Sequence, residues 1–295
     1  MKKRNGMLFG AHVSIAGGLG NAPKRAHDLG CECFQIFTRP PHGGKAPLWD
    51  TFTAQRFQDE CAKYGFTRWY IHTPYILNLA SLNNKTRYGS MSIIKEDLQR
   101  ANLIGAAMVV THLGSANAYE MNETLAKTAE GITKILDGYS GNALLLMEFA
   151  AGAGNIIGSS IEQMKIILER VDDKYLRYLK ICLDTAHVFA SGIDLRTKAD
   201  ARAFLKEFDR EIGLSRLAYI HANDSKVGLG EKKDRHEHLG KGKIGLECFR
   251  TFVGNARERS LQGVDMVVET PTLEGMEKDI ALLKKLRKGV CDILN

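Results

Sequence analysis

The sequence predicts a (β/α)₈ barrel of the TIM type. Eight short apolar segments alternate strictly with eight segments of helical periodicity, as is typical of parallel strands joined by right-handed crossover helices. The length of 295 residues suits one such barrel with insertions. No linker rich in proline or serine interrupts the series, so residues 1–295 are predicted to form a single domain. A doubly wound open sheet is the alternative architecture.

Each element follows from a local pattern. Strands are predicted where apolar and β-branched residues cluster between turn-forming residues, at 7–13, 33–38, 69–72, 108–112, 144–149, 178–184, 217–221 and 266–269. Helices are predicted where apolar residues recur at three- and four-residue spacing among good helix formers, at 21–28, 54–64, 92–104, 123–136, 161–171, 200–211, 246–257 and 277–287.

The composition is typical of a cytoplasmic globular protein. Apolar residues make up 44% and charged residues 25% of the chain, enough for a large core. No apolar run reaches the length of a signal peptide or a membrane span, so no membrane partner is expected. The six cysteines form no Cys-x-x-Cys pair and are predicted to be reduced thiols. The net charge of +7 is only weak support for a polyanionic partner.

Residue types that bind metals stand at the carboxyl ends of most predicted strands. These ends form the active-site face of a barrel. The clearest case is the sixth strand, which runs directly into Asp184 and, after a turn to a loop, His187. Five of the nine histidines fall at this face together with three acidic residues, which favours a metal site over isolated core histidines. The strand-end residues are His12, Thr38, Arg39, His72, His112, Glu148, Asp184, His187, His221 and Glu269.

A further pair, Asp234 and His236, lies in the charged loop after the seventh strand. In an extended segment both side chains point to the same side. A solvated charged loop is the simpler interpretation of this stretch alone, but its position on the ligand-bearing face favours metal binding. The candidate ligands are then too many for one zinc ion, which takes about four. Two or three ions are predicted, and sites of this kind commonly serve phosphoester hydrolysis.

Short motifs are spread from residue 10 to residue 271. They are GAHVSIAGG at 10–18, LNLA at 77–80, Glu148 followed by AAGAG at 150–154, CLDTAH at 182–187 with GIDL at 192–195, HANDSK at 221–226, DRH at 234–236 with LGKGKIG at 239–245, and VETP at 268–271. In this order and combination the chain resembles endonuclease IV, the metal-dependent abasic-site endonucleases of base-excision repair (AP endonuclease family 2).

The resemblance implies a metal-dependent nuclease with three zinc ions, Mn²⁺ being an alternative in one position. It implies hydrolysis of the phosphodiester 5′ to an abasic site in double-stranded DNA, leaving a 3′-hydroxyl and a 5′-deoxyribose phosphate. Glu148 is the expected catalytic carboxylate, with Glu269 as the alternative, and a monomer is expected. The implied ligand sets are His72, His112 and Glu148 for one ion; Glu148, Asp184, His221 and Glu269 for the second; and His187, Asp234 and His236 for the third.

The resemblance also implies that loop side chains grip DNA while the abasic nucleotide is flipped out. Tyr75 matches the tyrosine that the family inserts, although a packed loop aromatic is an equally good interpretation of the sequence. Lys226, Lys241 and Lys243 lie in loops of the ligand-bearing face and are candidates for contacts with backbone phosphates.

Three stretches depart from the family's usual pattern, one of them at Leu113, where His-Pro-Gly is usual. After the second strand the family has an Asn, a basic residue and a Trp, whereas this chain has TRPPHGGK at 38–45. Arg39, His42 or Lys45 is the candidate replacement in that loop, with Arg39 the residue we expect to contact DNA. Phe149 stands where the family usually has Asn, which predicts the loss of a polar group behind the metal ligands.

Two other functions remain open at this point. A metal-dependent sugar isomerase or epimerase would share the barrel and its His, Asp and Glu ligands, but it would need only one or two ions and leaves Asp234 and His236 unexplained. A non-catalytic nucleic-acid-binding barrel with structural metal is conceivable because of the altered loop at 38–45. The complete ligand set argues against it.

Overall fold

A computed structural model of the protein describes residues 6–116, 120–257 and 261–289. Eight parallel strands close into a barrel in the order β1-β10-β7-β6-β5-β4-β3-β2, which confirms the predicted fold class. The strands are β1 (Phe9–His12), β2 (Cys33–Phe37), β3 (Trp69–His72), β4 (Met108–Thr111), β5 (Leu144–Glu148), β6 (Leu179–Asp184), β7 (Leu217–His221), β8 (Asp224–Ser225), β9 (His236–Glu237) and β10 (Asp265–Val268). The two short strands β8 and β9 form an antiparallel pair outside the barrel.

Helices connect the barrel strands and cover the outside of the barrel. They are α1 (Asn21–Asp28), α2 (Thr51–Lys63), α3 (Asn84–Ile104), α4 (Met121–Leu136), α5 (Ile161–Arg170), α6 (Thr185–Ser191), α7 (Lys198–Glu211), α8 (Leu246–Arg257) and α9 (Leu273–Lys288), with 3₁₀ turns at Asp173–Tyr178 and Leu214–Arg216. Among the described residues, no helix combines the length and the apolar character needed to cross a membrane.

Side-chain caps explain where two helices begin earlier than predicted. The Asn83 side chain accepts a hydrogen bond from the Thr86 amide at 3.2 Å, so α3 starts eight residues before the predicted residue 92. The Thr272 hydroxyl accepts from the Gly275 amide at 3.1 Å and starts α9. The first turn of α3 is polar and therefore shows no apolar periodicity, which is why the sequence pattern missed it.

The core has two layers. The larger one lies between the barrel and its helices, and a smaller one fills the barrel, where Tyr70 and Tyr219 contact each other with ring centroids 4.5 Å apart. Strand packing is tight enough to require glycine at residue 10, since a Cβ there would lie 1.8 Å from the Cys33 carbonyl oxygen. Cys31, Cys33, Cys61, Cys182 and Cys248 are free thiols, and Cys291 lies outside the described residues.

Candidate metal centre

The carboxyl ends of the barrel strands bring the predicted ligands together. In each of three overlapping groups the potential ligand atoms all lie within 4.8 Å of one another. The groups are His72, His112 and Glu148; Glu148, Asp184, His221 and Glu269; and Asp184, His187 and His236. Asp234 adjoins the third group, with its carboxylate 3.0 Å from His236 Nε2 and 3.2 Å from His187 Nε2. All nine predicted ligands therefore face one cluster.

Glu148 occupies the middle of this cluster. It ends β5 and is 1% exposed. Its Oε2 lies 3.0 Å from His72 Nε2 and 3.3 Å from His112 Nδ1, whereas its Oε1 lies 2.8 Å from His221 Nδ1. Because each carboxylate oxygen faces a different group of imidazoles, this side chain is placed to bridge two cation sites.

Asp184 and His187 are joined by a helix rather than by the predicted loop. Asp184 is the N-cap of α6, and its Oδ1 accepts a hydrogen bond from the His187 amide at 3.0 Å. The cap uses one carboxylate oxygen and leaves Oδ2 facing the cluster, 3.5 Å from His236 Nε2. The spacing Asp-x-x-His therefore places both side chains at one helix N-terminus, directly after β6.

The predicted extended loop that carries Asp234 and His236 leads into the β8–β9 pair, and His236 is the first residue of β9. Asp224, wholly buried in β8, accepts hydrogen bonds from the amides of Gly240, Gly242 and Ile244 at 2.9 to 3.1 Å. A Cβ at residue 242 would lie 2.5 Å from Asp224 Oδ1, so glycine is needed for this close approach. The carboxylate of Asp224 thereby folds the segment 240–244 back onto the hairpin, which holds His236 over the barrel.

Main-chain carbonyls orient two of the imidazoles. His72 Nδ1 donates to the Thr73 carbonyl oxygen at 2.6 Å, and His187 Nδ1 donates to the Phe149 carbonyl oxygen at 2.8 Å. A neutral imidazole carries one N–H, so in both rings the Nε2 lone pair faces a carboxylate. Two acceptors face each other stably only when a proton or a metal ion lies between them, and metal-binding histidines are typically oriented in this way.

Unpartnered nitrogens in the cluster point to the same conclusion. The buried Nδ1 of His112 and the buried Nε2 atoms of His187 and His236 have no hydrogen-bond partner. A buried polar atom without a partner is costly, and in each case a carboxylate lies within 3.3 Å of it. A donor set of imidazole and carboxylate with no thiolate suits borderline divalent ions. The residues present therefore fit a group of bound metal ions.

The electrostatics of the cluster favour positive charge. Burial alone lowers the pKa of His236, but Asp184 and Asp234 raise it to about 9. Burial likewise opposes ionisation of Glu148, but His112 and His221 hold its pKa well below the usual range. The Glu148 carboxylate therefore stays ionised at neutral pH, and protons compete with cations for the imidazoles.

Comparison with known proteins identifies the family. Residues 23–286 match the family described as xylose isomerase-like TIM barrel. The chain is 35% identical over 282 residues to a probable endonuclease 4 of Halothermothrix orenii, spanning 96% of this chain and 100% of that protein. It is 37% identical over 286 residues to a probable endonuclease 4 of Cenarchaeum symbiosum, spanning 95% and 99%. The chain belongs to the endonuclease IV family. A crystal structure of endonuclease IV from Thermus thermophilus matches with a TM-score of 0.83 at 29% identity, over 96% of this chain and 99% of that one.

The barrel is also shared with proteins outside the endonuclease IV family. A D-tagatose 3-epimerase-like protein matches with a TM-score of 0.72 at 19% identity, over 96% of this chain and 98% of that one. A likeness at this identity shows the common fold alone. It is consistent with the sequence-based alternative of a sugar epimerase without favouring it.

Four of the five side chains predicted to contact DNA are exposed in loops beside the cluster. Tyr75 is 48% exposed, and its ring centroid lies 5.8 Å from that of His72 and 5.7 Å from that of His112. Lys226, Lys241 and Lys243 are exposed around the β8–β9 hairpin. These positions suit a polyanion that approaches the ligand-bearing face of this endonuclease IV homologue.

The prediction that Arg39 contacts DNA is not supported by its position. Arg39 is only 6% exposed, and its guanidinium Nη2 lies 3.2 Å from Asp97 Oδ1 and 2.9 Å from Glu96 Oε2 on α3. The buried Asp97 carboxylate also accepts a hydrogen bond from the Thr38 hydroxyl at 2.5 Å. Arg39 therefore anchors the loop to the barrel wall, and the exposed candidates in that loop are His42 and Lys45.

Asp97→Ala is expected to destabilise the protein by about 3 kcal/mol, because it leaves the Thr38 hydroxyl without its partner and the buried Arg39 guanidinium with only the half-exposed Glu96 carboxylate. Glu96→Ala removes a carboxylate that is 42% exposed, so its cost is expected to be below about 1 kcal/mol. Urea unfolding of both variants measures the difference, and equal effects would contradict the proposed anchoring. Metal content should be unchanged in both.

Phe149 packs on the outer side of the barrel, and the predicted loss of a polar group behind the ligands stays a prediction. Its ring faces outward from the barrel, with its centroid 6.3 Å from that of Phe204 and 6.4 Å from that of Phe208 on α7. Its carbonyl oxygen still orients His187. The apolar side chain thus adds to the outer core, and the polar contact with this ligand is made by the main chain.

Sequence reasoning missed two polar residues behind the ligands. Gln35 on β2 is hydrogen-bonded to His221 and Glu269. Asn223 donates to Asp184 Oδ2 at 2.8 Å and accepts from the Glu269 amide at 2.8 Å. A single glutamine inside the apolar run Cys-Phe-Gln-Ile-Phe was the available signal for the first, and the second lies within the HANDSK motif.

Proposed function

We propose that the protein is a DNA-repair endonuclease that hydrolyses the phosphodiester bond 5′ to abasic sites in double-stranded DNA and leaves a 3′-hydroxyl and a 5′-deoxyribose phosphate. The observation that supports this most strongly is the cluster of nine imidazole and carboxylate side chains centred on the buried Glu148. Membership of the endonuclease IV family supports the same activity. We further propose that the protein acts as a monomer.

The proposed cofactors are three Zn²⁺ ions, with Mn²⁺ as an alternative in one position. Bound divalent ions polarise a phosphoryl oxygen, neutralise charge on the leaving oxygen and supply a nucleophile at neutral pH. The proposed ligands are His72, His112 and Glu148 for the first ion; Glu148, Asp184, His221 and Glu269 for the second; and His187, Asp234 and His236 for the third. The groups of the structure support the first two sets; for the third, the structure groups His187 and His236 with Asp184, and Asp234 lies 3.2 Å and 3.0 Å from these two imidazoles.

Glu148 is the proposed catalytic carboxylate. Its low pKa keeps it ionised, so it can accept a proton from, or orient, a water molecule that attacks the phosphate. Glu269 is the alternative, because its pKa is also held below the usual range: burial opposes ionisation, but His221 and a hydrogen bond from His12 outweigh it. Both side chains belong to the same group of potential ligands, and substitution of each in turn by glutamine distinguishes them.

Contact with DNA is proposed for Tyr75, Lys226, Lys241 and Lys243. The half-exposed ring of Tyr75 lies directly beside His72 and His112, where it can stack against a base or fill the gap left by a displaced nucleotide. The three lysines can contact backbone phosphates, so binding should weaken steeply with salt. Extrusion of the target nucleotide is cheaper at an abasic site, which gives selectivity.

Tyr75→Ala is expected to lower kcat/KM for an abasic duplex about tenfold, since stacking on one aromatic ring contributes about 1–3 kcal/mol. Zinc content should not change, because the ring is not a ligand. Steady-state incision assays check the result. Tyr88→Ala is the matched control, because Tyr88 is 49% exposed and contacts Arg87 and Lys134 instead of a ligand; a similar loss in both variants would argue against a specific role of Tyr75.

The decisive experiment uses a duplex that carries one tetrahydrofuran abasic analogue, beside the same duplex without the lesion. Zinc-loaded protein should nick the first substrate 5′ to the analogue and leave the second intact, and a chelator should stop the reaction. Absence of nicking together with turnover of a ketose would establish the sugar epimerase instead. Lesion binding without cleavage by the metal-loaded protein would indicate a non-catalytic barrel.

A further inference from the structure

Gln35 is a polar side chain enclosed in the barrel. It lies on β2 between Phe34 and Ile36 and is 0% exposed. Its amide oxygen Oε1 lies 2.9 Å from His221 Nε2, and its amide nitrogen donates to Glu269 Oε1 at 2.8 Å. An ionised carboxylate only accepts hydrogen bonds, so the nitrogen must face Glu269 and the oxygen must face His221. The orientation of the amide is therefore fixed by its neighbours.

This orientation determines the tautomer of His221. The Gln35 oxygen can only accept, so His221 Nε2 carries the proton and donates it. The lone pair of a neutral ring is then on Nδ1, which lies 2.8 Å from Glu148 Oε1 and 3.5 Å from Glu269 Oε2. The Gln35 side chain thus accepts the ring N–H of His221 and fixes its tautomer. The main-chain carbonyls of Thr73 and Phe149 have the same role for His72 and His187.

The same amide also restrains Glu269. The Glu269 Oε1 accepts one N–H of the Gln35 amide at 2.8 Å, and the other N–H of this amide faces His12 Nδ1 at 2.9 Å, which lies 3.3 Å from the same Oε1. With Oε1 held in this way, Oε2 is turned towards His221 and the ligand group. One buried amide therefore links two of the four residues in the group of Glu148, Asp184, His221 and Glu269.

We propose that Gln35 is a positioning residue of the metal centre: it selects the Nδ1-binding form of His221 and orients Glu269 for the ion that these two residues share. The inference rests on the proposed metal centre and adds a residue to it that touches no ion. Residues that orient ligands in this way typically contribute about 10- to 100-fold to metal affinity.

Gln35→Met tests the proposal, because methionine has nearly the length of glutamine but neither donates nor accepts comparable hydrogen bonds. Leu146→Met is the matched control: Leu146 is equally buried inside the barrel on β5 and belongs to the apolar cluster. Zinc retained after dialysis against graded chelator concentrations is measured for both. Gln35→Met should lose its weakest-held zinc at a free chelator concentration about tenfold lower or more, whereas Leu146→Met should match the unmodified protein.

The visible absorption bands of Co²⁺-loaded protein report on the geometry of the metal ligands. They would not change if Gln35 only filled space in the barrel. Gln35→Met should change the ligand-field bands. If Gln35→Met fails to fold, Gln35→Glu is measured in its place. Gln35→Glu keeps the shape of the side chain but replaces the donor to Glu269 by a carboxylate oxygen, so it should also change the bands. Unchanged bands and unchanged zinc retention would overturn the role of Gln35. Failure of the unmodified protein to retain zinc would instead refute the metal centre itself.

Discussion

Glu148→Gln is expected to reduce the single-turnover rate of incision at an abasic site by about a thousandfold or more, equivalent to about 4 kcal/mol. The substitution keeps the shape of the side chain but removes the negative charge that faces His72, His112 and His221. It also places an amide nitrogen, which cannot accept a proton or bind a cation, at one of the two bridging positions. The proposed base and the bridge between two ion sites are thus lost together.

Two measurements and a control variant make this result interpretable. Circular dichroism should show an intact fold, and metal analysis should show weaker retention of zinc. Glu231→Gln is the matched control, because Glu231 is exposed in the loop that precedes Asp234 and its carboxylate accepts from the Gly228 amide at 2.8 Å, away from the ligands. The rate of this variant should stay within about twofold. Full activity of Glu148→Gln would refute the site assignment. A larger loss in Glu269→Gln than in Glu148→Gln would assign the base to Glu269.

Removal of the metal ions is expected to abolish incision and to lower the Tm by about 5–10 °C, corresponding to about 4 kcal/mol of lost binding free energy at a thousandfold excess of ion over Kd. The physical reason is the composition of the cluster. Without cations, the ionised carboxylates face each other and the lone pairs of buried imidazoles, among them the unpartnered nitrogens of His112, His187 and His236. Protonation of the imidazoles compensates only in part, and burial lowers the pKa of His112 to about 4.

Calorimetry before and after treatment with a chelator measures this effect. Addition of zinc after the chelator has been removed should restore both the Tm and the rate of incision, which separates metal loss from irreversible damage. A protein that keeps its Tm and its activity after complete removal of metal, verified by elemental analysis, would contradict the proposed centre.

Much of the fold was predictable because strand ends in a barrel share one face. The apolar runs that end in His72, Glu148, Asp184 and His221 indicated both the strands and the direction in which their last residues point. Less could be predicted where polar residues carry structure. The helix after Asp184 is short and the first turn of α3 is polar, so neither shows a helical pattern of apolar residues.

The side-chain environment of a polar residue was the part of the site that the sequence could not provide. Arg39 follows a strand end as the ligands do, yet it turns towards Asp97, which lies 58 positions away in the sequence. Gln35 stands inside an apolar strand, and only the closed barrel brings it to His221, 186 positions away. Such contacts depend on which faces meet after folding, and local patterns do not record that.

The carbonyl contacts of His72 and His187 have a consequence for how this site can diverge. Every residue type has the same peptide oxygen. The orientation of these two rings is therefore set by the path of the main chain and does not depend on which residues occupy positions 73 and 149. Substitutions there are free to serve neighbouring packing, as the outward-facing ring at 149 does. Homologues that differ at these positions can therefore hold the same imidazole geometry, and residue identity there is a poor guide to whether the site is intact.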